Sequence, residues 1–268
     1  MPARRHSVSL NTIDADPREI VEAARAADAA DVHAIYCYDH ISGAAFHGES
    51  SLHIWSVLGA IAATTHRVHL GPLVANVTTR HAVDIALASA TLQQLSGGRL
   101  LLGLGAGAGA SSEYAAEMHM FALPLNSAAR RRERVADAVA FLNALWNDEP
   151  RFRSTNFSFD EPCGISAPDP RCPILIGANG PKLAELAATI ADGLNVHWWQ
   201  PGIDNVIAIA RLRARQRRLE AFTVSVEVPL DAVWLDEHAE WLGRLDVDEV
   251  IYSWHADLAP EAIARLVR

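Results

Sequence analysis

Three short stretches of this 268-residue chain hold residue types that can handle a proton, a flat ligand or an anion. The first is Asp39-His40, which closes an apolar run at 34–39. A histidine titrates near neutral pH, so at a strand end it can pass a proton to or from an atom gaining or losing hydride. The plainer reading is a histidine merely held by Asp39. The second stretch runs from Gly103 to Gly109, where every second residue is glycine. Successive strand side chains point to opposite faces, so one face there would be bare backbone. Such a face admits something close, either a cofactor or a bulky neighbouring side chain. Gly103-x-Gly105-x-x-Ala108 formally matches a relaxed dinucleotide fingerprint, but that motif belongs to the first strand–helix turn of its unit. Here three strand–helix units precede it, and the loop runs on through Ser111-Ser112-Glu113.

The third stretch is Gly177-Ala178-Asn179-Gly180-Pro181, a small-residue turn between an apolar strand and a helix with proline in its first turn. Free N–H groups at a helix N-terminus take an anion, most often phosphate. A tight turn that needs glycine is the alternative. The neighbouring Lys182, the single lysine among 23 basic residues, reads as a solvated helix residue. The cluster at 130–134, Arg-Arg-Arg-Glu-Arg, places positive charge at a helix start, against the helix dipole. It either faces an anion or forms a solvated face paired with Glu133.

The remaining composition narrows the field. A formal charge of −9 disfavours nucleic acid. No apolar run reaches 18–20 residues, so no membrane span is expected, and no signal-peptide apolar region follows Met1. Cys37, Cys163 and Cys172 form no Cys-x-x-Cys pair, which suits reduced thiols in a cytoplasm. No His-x-His closes the first strand and no His-Glu-x-x-His lies on a helix, so no metal site is expected.

These groups need a scaffold, and the chain alternates strand and helix throughout. Strands are expected at 8–12, 34–39, 68–76, 100–106, 173–177, 193–198, 222–228 and 249–254. Helices are expected at 17–30, 52–65, 83–95 and 127–146 and near the later strands, with 151–171 irregular. Near-continuous apolar strands fit a parallel sheet buried on both faces. Eight strands over this length predict one (β/α)8 TIM barrel spanning 1–268, with an open doubly wound sheet as the alternative. In a barrel the chemistry gathers where strands end: Asn11-Thr12, Asp39-His40, 74–76, 105–109, 177–180, His197 to Trp199, Glu227 and Trp254-His255. Asn11, Trp198 and Trp254 are the candidate substrate contacts, although core or rim packing also accounts for the tryptophans and for Trp199. The segment 52–65 is apolar on nearly every side, as at a subunit interface or under a covering loop.

The run Leu-Gln-Gln-Leu-Ser-Gly-Gly-Arg-Leu-Leu-Leu-Gly-Leu-Gly-Ala-Gly at 92–107 resembles the signature of the bacterial luciferase-like flavin-dependent oxidoreductases, most closely their coenzyme F420-dependent branch. Tyr38-Asp39-His40, Leu-Gly-Pro-Leu-Val-Ala-Asn at 70–76, Tyr-Ala-Ala-Glu at 114–117, 173–181 and Ala-Asp-Gly-Leu-Asn at 191–195 support it, across more than half the chain. The resemblance implies a barrel that binds its tricyclic cofactor at the C-terminal strand ends, usually as a homodimer. It places Asp39 and the catalytic His40 beside the reactive ring. Leu73 and Val74 would be joined by a non-proline cis peptide under the cofactor, followed by Ala75. Gly105, Ala106 and Gly107 would flank the ring or its side chain, Gly177, Ala178, Asn179 and Gly180 would hold the phosphate, and Asn76 and Asn195 would add hydrogen bonds.

The chain departs from the sugar-phosphate dehydrogenase of that branch. A carboxylate expected just after the Gly-x-Gly is Ala108, and a tryptophan four residues after the histidine is Ala44. No lysine stands where a substrate phosphate would need one, which argues against sugar-phosphate oxidation. The expectation is therefore an F420-dependent oxidoreductase acting on a small organic molecule. An FMN-dependent monooxygenase of the same family is the first alternative, and a non-catalytic flavin- or deazaflavin-binding protein is the alternative of another class.

Overall fold

The strands are short because each needs only to cross a barrel wall, and most of their residues are buried. The computed structural model describes residues 3–112, 114–219 and 221–254. In chain order these form β1 (Arg5–Leu10), α1 (Pro17–Ala29), β2 (Ala34–Cys37), α2 (Ile54–Thr64), β3 (His69–Pro72), β4 (Ala75–Asn76), α3 (Ala82–Ser96), β5 (Leu102–Gly105), α4 (Ala115–Met120) and α5 (Ala128–Trp146). They continue with β6 (Phe152–Arg153), β7 (Ser158–Phe159), β8 (Ile174–Gly177), α6 (Pro181–Ile190), β9 (Gly193–His197), α7 (Ile203–Gln216), β10 (Thr223–Pro229), α8 (Ala232–Arg244) and β11 (Glu249–Trp254).

Local chemistry sets the helix ends. Asp16 accepts the Arg18 N–H at 2.7 Å to start α1, with Pro17 in the first turn. Gly97, at φ +67°, ends α3 by turning its N–H back onto Gln93 and Gln94.

The main sheet is parallel, in the order β3-β2-β1-β11-β10-β9-β8-β5-β4. Its two ends belong to one stave. The expected strand 68–76 is split into β3 and β4, and the Leu73–Val74 peptide between them is cis. Ahead of β5, Leu101 donates its N–H to the Leu70 carbonyl at 2.9 Å, and Leu70 donates to the Arg99 carbonyl at 3.1 Å. β3 thus meets the chain leading into β5 while β4 pairs β5 directly, and the sheet closes as an eight-stave TIM barrel. That closure rules out the open doubly wound sheet.

Alternation along the strands sorts residues between two interiors. One side packs on the helices: Val8, Leu10, Ile35, Cys37, Val226 and Trp254 belong to the large apolar layer between sheet and helices. The other side fills the barrel with Ala34, Tyr36, Leu73, Leu175 and Ile251, together with two polar clusters. In one, Ser7 and Tyr36 donate to Glu249 Oε1 at 2.5 and 3.3 Å. In the other, Ser9 and Tyr38 donate to Glu227 Oε1, each at 2.5 Å. Residues two apart on β1, and Tyr36 with Tyr38, repeat one arrangement along the barrel axis.

Two further expectations need correction. The loop after the glycine strand contains α4, and the segment 151–171 contains the antiparallel pair β6–β7. The apolar helix α2 buries Ile54, Val57, Leu58, Ile61 and Ala62 and turns the small residues Ser56, Ala60 and Ala63 outward. No helix among the described residues is long and apolar enough to cross a membrane.

Candidate active site

A cavity of about 580 Å³ opens at the C-terminal ends of the barrel strands, within the size range of small-molecule sites. Its floor follows from the break in the third stave. Val74 reaches into the space left by two missing side chains: a Cβ on Gly105 would collide with Val74 Cγ2, and one on Gly177 would lie 2.9 Å from Val74 Cγ1. A Cβ on Gly103 would strike the Pro72 carbonyl. The bare glycine face is therefore filled at Gly103 and Gly105 by the chain at 72–74, the neighbouring-group alternative of the sequence reading, while Gly105 still borders the cavity. Gly107 is different. It sits at φ +74°, where a side chain is strained, and a Cβ would lie 2.8 Å from Thr78 Oγ1.

His40 stands on the cavity wall with its Nδ1 3.5 Å from Glu117 Oε2, an ion-pair distance that lacks hydrogen-bond alignment. The other oxygen of Glu117 accepts the backbone N–H groups of Ile41 and Ser42 at 2.7 and 3.1 Å. Glu117 is buried on α4, so a six-residue helix inside a loop delivers the carboxylate that faces the histidine. Phe46 and Tyr114 hold the imidazole ring, with centroids 4.3 and 5.8 Å away. Asp39, by contrast, does not orient His40. Its carboxylate is clamped by Arg80, with Nη2 2.8 Å from Oδ1, and accepts the Asn76 N–H at 3.2 Å.

A second histidine–carboxylate pair lines the same cavity. His197 Nδ1 lies 3.1 Å from Glu227 Oε2, again off hydrogen-bond alignment, and Trp199 stacks on the ring with centroids 5.2 Å apart and planes 15° apart. Glu227 Oε1 accepts from Ser9 and Tyr38, with Ser253 at 3.3 Å. Burial and the adjacent Glu227 carboxylate push the Tyr38 phenol above its ordinary value, so it remains a donor.

Of the cofactor candidates, Asp39, Leu73, Val74, Asn76, Gly105, Ala106, Gly107, Gly177, Asn179 and Asn195 line the cavity along with His40. Ala75 and Ala178 are buried in the sheet–helix layer, and Gly180 caps α6 without lining the cavity. Among the substrate candidates only Trp198 reaches it. Trp254 is 1 % exposed in the apolar layer, because its neighbour Ser253 points inward and alternation turns the indole out. Asn11 spends its side chain on the Ile13 N–H at 3.0 Å and is likewise off the cavity. His255 lies outside the described residues.

The arginine cluster divides. Arg130 pairs with Glu133 at 2.8 Å and Arg134 donates to the Val77 carbonyl. Arg131 reaches the cavity, donating to the Gly107 carbonyl at 2.6 Å while its buried Nε has no partner among the described residues. Lys182 is exposed. Glu117, Tyr38 and Ser253 went unassigned by sequence, Arg131 was read only as part of the cluster at 130–134, and His197 and Glu227 were visible only as strand ends. No group of three His, Cys, Asp or Glu among the described residues could hold a metal ion.

A closed (β/α)8 barrel with histidines, carboxylates and an arginine around a cavity at its C-terminal strand ends is an enzyme scaffold for a small ligand. The chain belongs to the luciferase-like monooxygenase family, whose model matches residues 2–244. An F420-dependent glucose-6-phosphate dehydrogenase from Microbacterium testaceum is 31% identical over 179 residues, 66% of this chain and 52% of that protein. The chain thus spans about half the length of the curated relatives it matches. An F420-dependent secondary alcohol dehydrogenase solved with an F420-acetone adduct superposes with a TM-score of 0.85 at 16% identity, covering 98% of this chain and 97% of that one. The coenzyme F420 dependent tetrahydromethanopterin reductase of Methanopyrus kandleri superposes with a TM-score of 0.80 at 16% identity, covering 99% and 97%. At these identities both show the fold.

Proposed function

We propose that the chain is an oxidoreductase that moves a hydride between coenzyme F420 and a small, uncharged organic substrate. The observation that carries this reading is His40 facing Glu117 on the wall of a cavity floored by Val74 and lined with backbone at 105–109. The residues present fit the cofactor. Arg131, with its unpartnered Nε beside the glycines, offers a cation for a phosphate, and the N-terminus of α6, which has no side-chain cap, adds free N–H groups. Asn179, Asn76 and Asn195 supply amide groups on the same cavity. When bound, the deazaflavin supplies two-electron hydride chemistry. Val74 and Leu73 support it from the floor, and His40 exchanges a proton with the reacting groups while Glu117 holds the imidazole in place.

The same residues weigh on the substrate. The glucose-6-phosphate dehydrogenase is similar in sequence, yet here Arg131 is the one lysine or arginine on the cavity wall among the described residues, and Glu227, Glu117 and Asp39 line it too. That balance favours an uncharged molecule over a phosphorylated one. Further parts of this proposal are one domain over 1–268, a homodimer and a cytoplasmic setting, the last of which suits the free thiols.

Titration of the purified protein with F420 and with FMN, followed by fluorescence, tests the reading. Saturable F420 binding is expected. FMN binding without any response to F420 would move the assignment to a flavin monooxygenase, the activity in the family's name, and oxygen uptake with reduced flavin would then follow.

A further inference from the structure

We propose that His197, positioned by Glu227, is a second proton-transfer group of this cavity, and that it serves substrates whose reacting carbon bears a hydroxyl or, in reverse, a carbonyl. This rests on the hydride-transfer reading above.

Glu227 is 2 % exposed, and its two oxygens have different work. Ser9, Tyr38 and Ser253 all donate to Oε1, at 2.5, 2.5 and 3.3 Å. Among the described residues Oε2 has no hydrogen-bond donor, and His197 Nδ1 lies 3.1 Å from it. An acceptor on that side puts the proton of the neutral ring on Nδ1 and leaves Nε2 as the basic nitrogen. Trp199, stacked on the imidazole, fixes its plane, and the ring borders the cavity. Carboxylate, imidazole and open cavity thus form the arrangement in which one group orients a base and the base meets the substrate. Three hydroxyls, from Ser9, Tyr38 and Ser253, hold Glu227 in place through Oε1 and leave Oε2 turned to the histidine.

The chemistry balances with the cofactor class already named. In alcohol oxidation the substrate C–H bond breaks and its electron pair leaves with the hydrogen as hydride to the deazaflavin. The O–H bond breaks as well, its proton passes to His197 Nε2, and its electron pair becomes the second bond of the carbonyl. In the reducing direction the imidazolium returns that proton to the oxygen. His197 is the catalytic residue here and Glu227 the positioning residue.

Two measurements decide it. Long-range ¹H–¹⁵N spectra of the ligand-free protein should find the neutral His197 ring protonated at Nδ1, and a proton on Nε2 instead would overturn the pairing. In F420-linked oxidation of small secondary alcohols, His197→Ala should lose roughly 10²-fold or more in kcat, as expected for a lost general base. Imidazole added to the buffer should restore part of that loss while F420 affinity stays within about twofold of the wild type. Unchanged turnover, or a loss that imidazole leaves untouched, rejects the proposal. Wild-type protein that takes up no F420 would instead sink the hydride-transfer reading, and the ring-proton position would still decide whether Glu227 orients His197.

Discussion

Arg80 grips Asp39 through both carboxylate oxygens, with Nη2 2.8 Å from Oδ1 and Nε 3.3 Å from each, and Asp39 Oδ2 also takes the Asn76 N–H. The pair ties the end of β2 to the chain that follows the Leu73–Val74 peptide, so it braces the cavity floor from behind. The Asp39 side chain has no exposure and that of Arg80 has 16%. Removing one partner leaves a buried charge uncompensated, which costs about 3–5 kcal/mol. Arg80→Met should lower stability to urea by that order, and Arg80→Lys should recover only part, because an ammonium cannot present the two-pronged contact. A loss below about 1 kcal/mol for Arg80→Met would refute the brace.

Val74 makes a second, steric prediction. Gly105→Ala should destabilise the protein by about 1–3 kcal/mol, the usual effect of overfilling a packed site, and should weaken cofactor binding as the floor shifts. Val74→Ala combined with Gly105→Ala should cost less than the two single changes added, since the groups touch. Strict additivity in denaturation experiments would show that the collision is relieved elsewhere.

At the opposite end of the barrel, acid should loosen the fold. Burial, then Arg5 and His69, push the His33 imidazole down to about 4, and burial also lowers His6 and His69. Between about pH 6.5 and 4 the unfolded chain binds a proton at His33 that the folded chain refuses. Stability therefore falls as pH drops through that window. Thermal melts should show this decline in the wild type and a shallower one in His33→Gln. Identical pH slopes would contradict it.

The thiols separate by burial. Cys37 and Cys172 are buried and both pushed up to about 12 by desolvation, whereas Cys163 is exposed. A thiol reagent at neutral pH should titrate one group in the folded protein and three in denaturant, with Cys163→Ser removing the fast reaction. Rapid labelling of two or more sites would mean that the barrel wall opens.

The staves could be read from the chain because buried parallel strands leave long apolar runs, and β11 matches its expected bounds, 249–254. The place of the break in the third stave came from resemblance alone, since nothing in Leu-Gly-Pro-Leu-Val-Ala-Asn interrupts the apolar pattern. His40 was legible from its position after an apolar strand. Its partner Glu117 was not, because the carboxylate arrives from a loop helix 77 positions along the chain, and no local period records a contact of that range. Trp254 was misplaced by attending to strand ends without alternation: Ser253 takes the inward place, so the indole must turn to the helices. The glycine ladder announced a close approach and left open whether a cofactor or a side chain makes it; at Gly105 the side chain of Val74 does.

Val74 wedged between Gly105 and Gly177 also bears on how such a pocket can diversify. Depth is locked, because any bulk added to either glycine meets the wedge, and any change to the wedge opens a void between two staves. Room for a different guest must come from the rim, where Trp199 is half exposed and Leu183 and Tyr114 sit on elements outside the barrel wall. In this scaffold packing fixes the base of the hollow, and its mouth is where a side-chain change alters the space for a guest.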